Sequence, residues 1–269
     1  MSPAHVLLIS LDSCRYDSFA ATATPNLDRV GPLHRAQAPS YFTYGSHAAM
    51  WMGFTPGLAE RSQAWLNPKF GKLFRMSFAG SSGRDGDCFF LEGANLIEGF
   101  RRQGYATIGT GAVDWFNPAT PTGALLGSPF EQFFFAGNTW SLSQQLAWIE
   151  QQLALLPPSQ PQFVFVNVGE THVPYWHEGA PWPRFPSPCV AFGSASCSAS
   201  LSRERQQACL AWVDQQLAPL LARFLDHTIL VCADHGDCWG EDGLWEHGVS
   251  HWATLTVPLL LRVRGQPIH

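Results

Sequence analysis

Three segments of the chain place carboxylates and imidazoles directly behind apolar runs. His5 to Asp12 (HVLLISLD) leads into Asp12-Ser13-Cys14-Arg15, Gln162 to Val168 (QFVFVNV) into Glu170-Thr171-His172, and His227 to Ala233 (HTILVCA) into Asp234-His235-Gly236-Asp237. A fourth set follows in the next stretch: Glu241, Asp242, Glu246, His247 and His251. Apolar runs of this length read as strands buried on both faces, the kind found in parallel sheets. Ligands of open α/β sheets bind beyond the carboxyl ends of their strands. Carboxylates and imidazoles gathered at one such edge are the donor set of a hard or borderline divalent cation. One Asp at a strand end is explained as well by a helix cap; three such ends together point to a metal site.

The elements that must position these residues alternate in type. Thr24-Pro25 can open a helix, with Thr24 as cap and Pro25 in the first turn. Ser46 to Trp51 is a short helical stretch after Gly45. Residues 54 to 90 read as a long excursion rich in Gly, Ser, Phe and Arg, with room for a small hairpin. Gly93 to Gln103 is an amphipathic helix closed by Gly104, and Tyr105 to Gly109 is a strand. Residues 111 to 138 look like loop crowded with aromatics. Ser141 to Leu156 is a helix stopped by Pro157-Pro158. A Pro/Gly/Ser/aromatic loop covers 173 to 200, a long helix Ser202 to Leu225, and a last strand Val257 to Val263. Strands alternating with helices predict a layered α/β fold with a mostly parallel sheet. No composition break divides the chain, so one domain over residues 1–269 is expected.

Composition narrows the function classes. Lys+Arg number 16 and Asp+Glu 21, giving a net charge of -5 and a charged fraction of 14%, against roughly 25% in soluble domains. The close basic pairs, Arg101-Arg102 and Arg203/Arg205, make no stripe of the sort nucleic acid requires. No stretch reaches the roughly 18 apolar residues that cross a bilayer. Met1 to Ser10 has no basic n-region and no small-residue cleavage site, so no signal peptide is read. Seven cysteines with no C-x-x-C pair argue for reduced thiols and a cytoplasmic location, although Cys189 and Cys197 share one loop and could pair.

Five segments in order carry a resemblance to a known family. VLLISLDSCRYD is similar to the opening strand and metal-binding Asp of the alkaline phosphatase superfamily, in its sulfatase-like branch. TPNLDRV resembles the branch's TPNLDRLA segment, TYGSHAAMWMGFTPG its nucleophile segment, and ETHVPY its THxPY loop. ADHGDCWGEDGLWEHG, followed by VPLLLR, is similar to its DHGExxGExGLWxHG segment and closing strand. The segments span residues 5 to 263. The resemblance implies a three-layer α/β/α sandwich around a mostly parallel sheet. The sequence ends six residues after Val263, so the C-terminal subdomain usual in sulfatases is expected to be absent.

Residue by residue, the resemblance implies that Asp12, Asp234 and His235 bind a divalent metal with Thr43 as fourth ligand. Superfamily members bind zinc, manganese or calcium there. The imidazole, and Ser13 where sulfatases usually have a second Asp, favour manganese or zinc, with calcium left open. One metal is expected, and a second stays open. Thr43 aligns with the nucleophile, a hydroxyl that needs a metal or base to activate it. In sulfatases that position is a Cys or Ser converted to formylglycine; threonine cannot give that aldehyde. The expected substrates are therefore phosphate or phosphonate esters, cleaved through a phosphothreonine, as in the phosphodiesterase and phosphonate monoester hydrolase members. His172 and His247 match groups that contact non-bridging oxygens or protonate the leaving group. They are expected across the cavity from Asp12, too far away to coordinate a single metal. Arg15 matches the basic residue that fixes the nucleophile segment or the anion, and His47 replaces the motif's Arg. His177 and His251 are placed on the substrate side, where either could complete a second metal site.

Trp115, Trp176, Trp182 and the phenylalanines of residues 111–138 and 173–192 are walls for an apolar or aromatic leaving group, or they replace the packing of the missing subdomain. The sequence therefore predicts a metal-dependent hydrolase of small-molecule phosphate or phosphonate esters, with no nucleic-acid partner, no membrane span and no stated oligomeric state. A sulfatase, a phosphotransferase of the same fold and a non-catalytic binding protein are the alternatives.

Overall fold

The structure is a computed structural model and describes residues 4–53 and 95–269. At its centre lies β1 (Val6–Leu11), hydrogen-bonded in parallel to β5 (Gln162–Val168) on one side and β6 (Thr228–Cys232) on the other. These are the three strands whose ends carry the ionisable residues, so the three ends are neighbours in space. Ser10 pairs with Asn167 in one ladder and with Cys232 in the other. The sheet continues past β5 to β3 (Ala106–Gly111) and β4 (Gln132–Phe135), both parallel. Past β6 it turns antiparallel, through β9 (Thr256–Val263), which also pairs with β2 (His34–Gln37) and β10 (Gln266–Pro267). A separate hairpin joins β7 (Cys238–Trp239) to β8 (Trp245–Glu246).

Alternation along the central strands builds a core on each face. Leu7, Ile9 and Leu11 of β1 and Val164, Val166 and Val168 of β5 pack with Leu142 and Ile149 of α5 (Leu142–Ala154) and Leu210, Val213 and Leu217 of α6 (Ala199–Phe224). Leu8, Phe163 and Phe165 face the other way. They pack with Trp51 of α2 (Thr43–Met52), Ile97 of α3 (Leu96–Arg102) and Leu126 of α4 (Pro121–Gly127). The short helix α1 (Tyr16–Ala20) lies with α6, and α7 (Trp252–Leu255) leads into β9. Helices on both faces of a mostly parallel sheet make the three-layer sandwich expected. None of the described helices is long and apolar enough to cross a membrane.

Several boundaries differ from the sequence reading. Helix α2 begins at Thr43 rather than Ser46, because Phe42 is extended and opens the first turn there. Residues 111–138 are more than loop: a 3-10 turn (Asp114–Phe116), α4 and β4 lie within them. Thr120 Oγ1 accepts the Gly123 N–H at 3.0 Å, and Pro121 fills the first helical position; seven residues are too few for a visible periodicity. Helix α6 starts three residues before Ser202, capped by Ser198, whose hydroxyl accepts the Leu201 N–H. Thr24 caps no helix: its hydroxyl donates to Asp28, and a 3-10 turn (Leu27–Arg29) follows. Asp214 of α6 takes the N–H groups of Asn26 and Leu27. Cys189 and Cys197 are both free. The excursion over 54–90 and the start of the helix at Gly93 lie outside the described residues.

One buried side chain of α6 ties the strand ends together. Gln206 donates from Nε2 to the carbonyls of Ser13 (2.9 Å) and Thr171 (3.0 Å) and accepts the Arg15 N–H at 3.3 Å. Gln206→Leu keeps the volume but leaves three buried backbone groups without partners. It should cost about 2–4 kcal/mol, seen as a lower midpoint in urea with an unchanged m-value. An unchanged midpoint would show that Gln206 braces nothing.

Candidate active site

Asp12 is the residue after β1, and its N–H extends the ladder to Val168 O (2.9 Å). Its Oδ2 accepts from Asn167 Nδ2 at 3.1 Å, so a polar residue of β5 fixes the carboxylate. Asp234 stands two residues past β6; its Oδ1 accepts the N–H groups of Ser13 (3.1 Å) and His235 (2.9 Å). Its Oδ2 is buried and meets no donor among the described residues. His235 donates Nδ1–H to Gly236 O at 3.0 Å, which leaves a lone pair on Nε2. That nitrogen lies 3.5 Å from Asp234 Oδ2, 3.8 Å from Asp12 Oδ1 and 3.3 Å from Thr43 Oγ1.

Asp12, Thr43, Asp234 and His235 are all fully buried. Burial raises the Asp12 pKa, with Asp234 adding to it, and burial raises that of Asp234. Burial, with His247 adding to it, lowers His235 to about 3, so its imidazole is neutral. One ligand atom each from Asp12, Asp234 and His235 lie within 4.8 Å of one another. Donors on a single ion with bonds of about 2.0–2.6 Å sit at most about 5 Å apart. Two buried carboxylates, an orphaned oxygen and a neutral imidazole nitrogen aimed between them fit a divalent cation.

Thr43 opens α2, where the positive end of the helix dipole favours negative charge. The turn is packed so closely that a Cβ on Gly45 would meet Ser40 and the Phe42 ring. Ser46 Oγ donates to Asp234 O at 2.6 Å and so ties α2 to the end of β6.

His247 lies beside this cluster, its ring centroid 4.4 Å from that of His235 and 5.1 Å from that of His172. Ligand atoms of His235, Asp237 and His247 also fall within 4.8 Å of one another. The β7–β8 hairpin folds His247 back beside His235, yet it is not grouped with Asp12 and Asp234. The two trios differ, however. Asp237 carries a donor on each oxygen, His247 Nδ1 on Oδ1 and the Tyr175 hydroxyl on Oδ2, both at 2.7 Å. Burial lowers the His247 pKa, but the hydrogen bond and charge of Asp237, with Asp12 and Glu246, override it and lift it to about 9. His172 donates Nδ1–H to Val173 O at 2.8 Å.

The remaining expected residues are placed elsewhere. Arg15 is spent on Asp17, Glu241 (2.6 Å) and Asp237 O (3.1 Å), with its guanidinium 4.3 Å from the Trp239 ring centre. It braces the Asp237 loop instead of meeting an anion. His47 is buried behind Thr43, bonded to Thr43 O (2.8 Å) and Ser10 Oγ (3.1 Å) among Trp51, Phe116 and Phe165. Hence it supports the first turn of α2 and is closed off from solvent. His177 stacks on Trp212 of α6 at 5.1 Å. His251 accepts the Ala253 N–H, lies 3.4 Å from Cys238 Sγ and meets Asp242 at 3.1 Å, capping α7. Neither belongs to a trio. Trp182 donates to Tyr175 O and Trp176 to Trp182 O, so both hold the 173–182 loop. Trp115 stacks on Tyr44 beside Phe42.

Asp237, Asn167 and Tyr175 were missed as site residues. Asn167 had a signal, an amide interrupting the apolar run Phe163–Val168 one residue from its end.

The sulfatase family model matches residues 5–267. No protein of curated function matches the sequence. Among solved structures, the C-terminal periplasmic domain of phosphoethanolamine transferase EptC from Campylobacter jejuni superposes with a TM-score of 0.66 at 11% identity, covering 97% of this chain and 80% of that one. Phosphonate monoester hydrolase of Agrobacterium radiobacter gives 0.63 at 19%, covering 97% and 68%. The EptC periplasmic domain from Escherichia coli, in complex with Zn, gives 0.63 at 13%, covering 99% and 75%. These likenesses show a shared fold, a mostly parallel sheet between two helical layers.

The raised pKa values of Asp12 and Asp234 fix a sign. Without a cation, these groups weaken the fold as pH rises through the range above ordinary carboxylates, because the folded state resists their ionisation. A cation binds only the ionised form and reverses this. Zinc or manganese at 100-fold over Kd should stabilise the protein by about 2.7 kcal/mol. The gain should shrink as pH falls and the two carboxylates take up protons, and it should vanish in Asp234→Asn. Equal thermal shifts in the wild type and the variant would place the ion elsewhere.

Proposed function

The chain belongs to the sulfatase family, and from that membership we propose that it is a metal-dependent hydrolase of phosphate or phosphonate esters with Thr43 as nucleophile. The observation that carries the reading is the position of Thr43: at the start of α2, its hydroxyl lies 3.3 Å from His235 Nε2, the nitrogen that also neighbours the Asp12 and Asp234 carboxylates. A threonine there supports phosphoryl over sulfuryl chemistry, since it cannot supply the aldehyde hydrate of sulfatases. Two of the similar folds, a phosphonate monoester hydrolase and a phosphoethanolamine transferase, are named for phosphorus chemistry.

Asp12, Asp234 and His235 would hold the cation with Thr43 beside them. A divalent ion there lowers the pKa of a neighbouring hydroxyl and offsets the charge of the ester oxygens. The positive end of the α2 dipole lies at Thr43 and favours the same charge. Thr43 Oγ1 attacks phosphorus, the bond to the leaving oxygen breaks, and a phosphothreonine remains for water to hydrolyse. His247, held protonated by Asp237, donates the proton that the leaving oxygen needs. His172 stands beside it to bind a non-bridging oxygen. The ring series Tyr41, Phe42 and Trp115, spaced 5.7 and 6.0 Å, leads up to Thr43 and supports an apolar or aromatic ester group. Transfer of the phosphoryl group to an acceptor other than water is the second reading, favoured by the transferase likeness.

The test is a matched panel of aryl phosphate, phosphonate and sulfate esters with zinc or manganese supplied. Phosphorus esters should turn over faster, and Thr43→Ala should lose on the order of 10³-fold in kcat. A quenched reaction should yield phosphorylated Thr43 by mass spectrometry. Activity on esters with poor leaving groups should fall as pH rises through about 9, where His247 loses its proton. Preference for sulfate esters would refute the nucleophile assignment.

A further inference from the structure

We infer that Asp237 is the positioning residue of this site, holding His247 in one orientation, with Tyr175 and Trp239 behind it. The inference rests on the reading that His247 faces the leaving group, and it names the residue that makes His247 competent.

Register is the first ground. In the β7–β8 hairpin Cys238 pairs with Glu246 and Trp239 with Trp245. One step further along the same ladder brings Asp237 opposite His247. Their contact is thus set by the hairpin and not by a chance loop conformation.

The second ground is the chain of hydrogen bonds behind the carboxylate. Trp239 Nε1 donates to the Tyr175 hydroxyl at 2.8 Å, the hydroxyl donates to Asp237 Oδ2 at 2.7 Å, and Asp237 Oδ1 accepts from His247 Nδ1 at 2.7 Å. Indole nitrogen can only donate, so the direction of the whole chain is fixed from its far end. Tyr175 and Asp237 are completely buried and Trp239 nearly so. The backbone is held as well, because Arg15 Nη1 donates to Asp237 O and its guanidinium lies over the Trp239 ring.

Third, the geometry assigns the ring nitrogens. A carboxylate oxygen cannot donate, so Nδ1 carries a hydrogen whether the imidazole is neutral or charged. Nε2, on the far side of the ring from Asp237, is left for substrate. Partners of this kind behind a reacting or ligating histidine typically cost 10–100-fold when mutated.

The experiment uses the full chain, with Asp237→Asn and Tyr175→Phe as variants and His247→Gln to assign the spectrum. In the wild type, His247 Nδ1–H should give a strongly downfield proton resonance with its attached nitrogen, absent in His247→Gln. Asp237→Asn should abolish or shift it. In the same variant, kcat on a phosphate ester with a poor leaving group should fall about 10–100-fold, kcat on one with a good leaving group should fall only a few-fold, and bound metal should not change. Tyr175→Phe should move resonance and kinetics the same way by less, and it carries the test alone if Asp237→Asn does not fold. An unchanged resonance would overturn the inference, as would equal losses on both esters. Loss of a metal equivalent would make Asp237 a ligand instead. If the wild type cleaves no phosphorus ester, the proposed function fails while the resonance still decides the role of Asp237.

Discussion

Two carboxylates that share one buried space govern this molecule. Asp12 and Asp234 end neighbouring strands, both fully covered, with His235 neutral between them. Charge of one sign held out of water is costly unless something of opposite sign joins it. Hydrogen bonds to the pair, from Asn167 and the Ser13 and His235 amides, offer only partial charges, and the charge of His247 next to them is already held by Asp237. A sequence that accepts this cost in its most rigid layer has built the place for a cation into the sheet itself.

Bracing around the pair comes from every layer. Gln206 reaches from α6 to the backbone behind Asp12 and beside His172. Ser46 fastens α2 to the carbonyl of Asp234, and His47 fastens its first turn through Thr43 O to Ser10 of β1. Arg15 locks the segment after β6 from the opposite side. Histidine and arginine, which at first sight belong to chemistry, here act as struts. Their burial explains it: a side chain with every polar atom already engaged inside the protein has none left for a ligand.

How legible this was depends on the kind of signal. The central strands β1, β5 and β6 were plain in the sequence because strands buried on both faces read as unbroken apolar runs, and their polar ends marked the site. Thr43, Asp12, Asp234 and His235 do come together at the strand ends. Elements whose identity depends on partners were not plain. Strand β2, His-Arg-Ala-Gln, has no apolar pattern and exists because β9 offers it an edge. Helix α4 was hidden among aromatics. His47, His177, His251 and Arg15 have the right types at suggestive positions, but spacing alone cannot say which way a side chain points. Asp237 was visible within Asp-His-Gly-Asp, yet its bearing on His247 depends on a hairpin of two paired positions, too short to leave a periodic trace.

That hairpin has a consequence for how the chain can vary. Residues 240–244 join its two arms, and Gly240 and Gly243 take left-handed backbone there. Because side chains alternate from face to face along a strand, a shift of one position turns the whole set over. Composition of the connecting turn is therefore fairly free wherever a left-handed residue is kept, while its length is not. Adding or removing one residue would set Gly236 or Cys238 against His247 and turn the imidazole away from the strand ends, with neither Asp237 nor His247 itself changed. Divergence in such a protein should be read first in the spacing of its loops and only then in the identity of its residues.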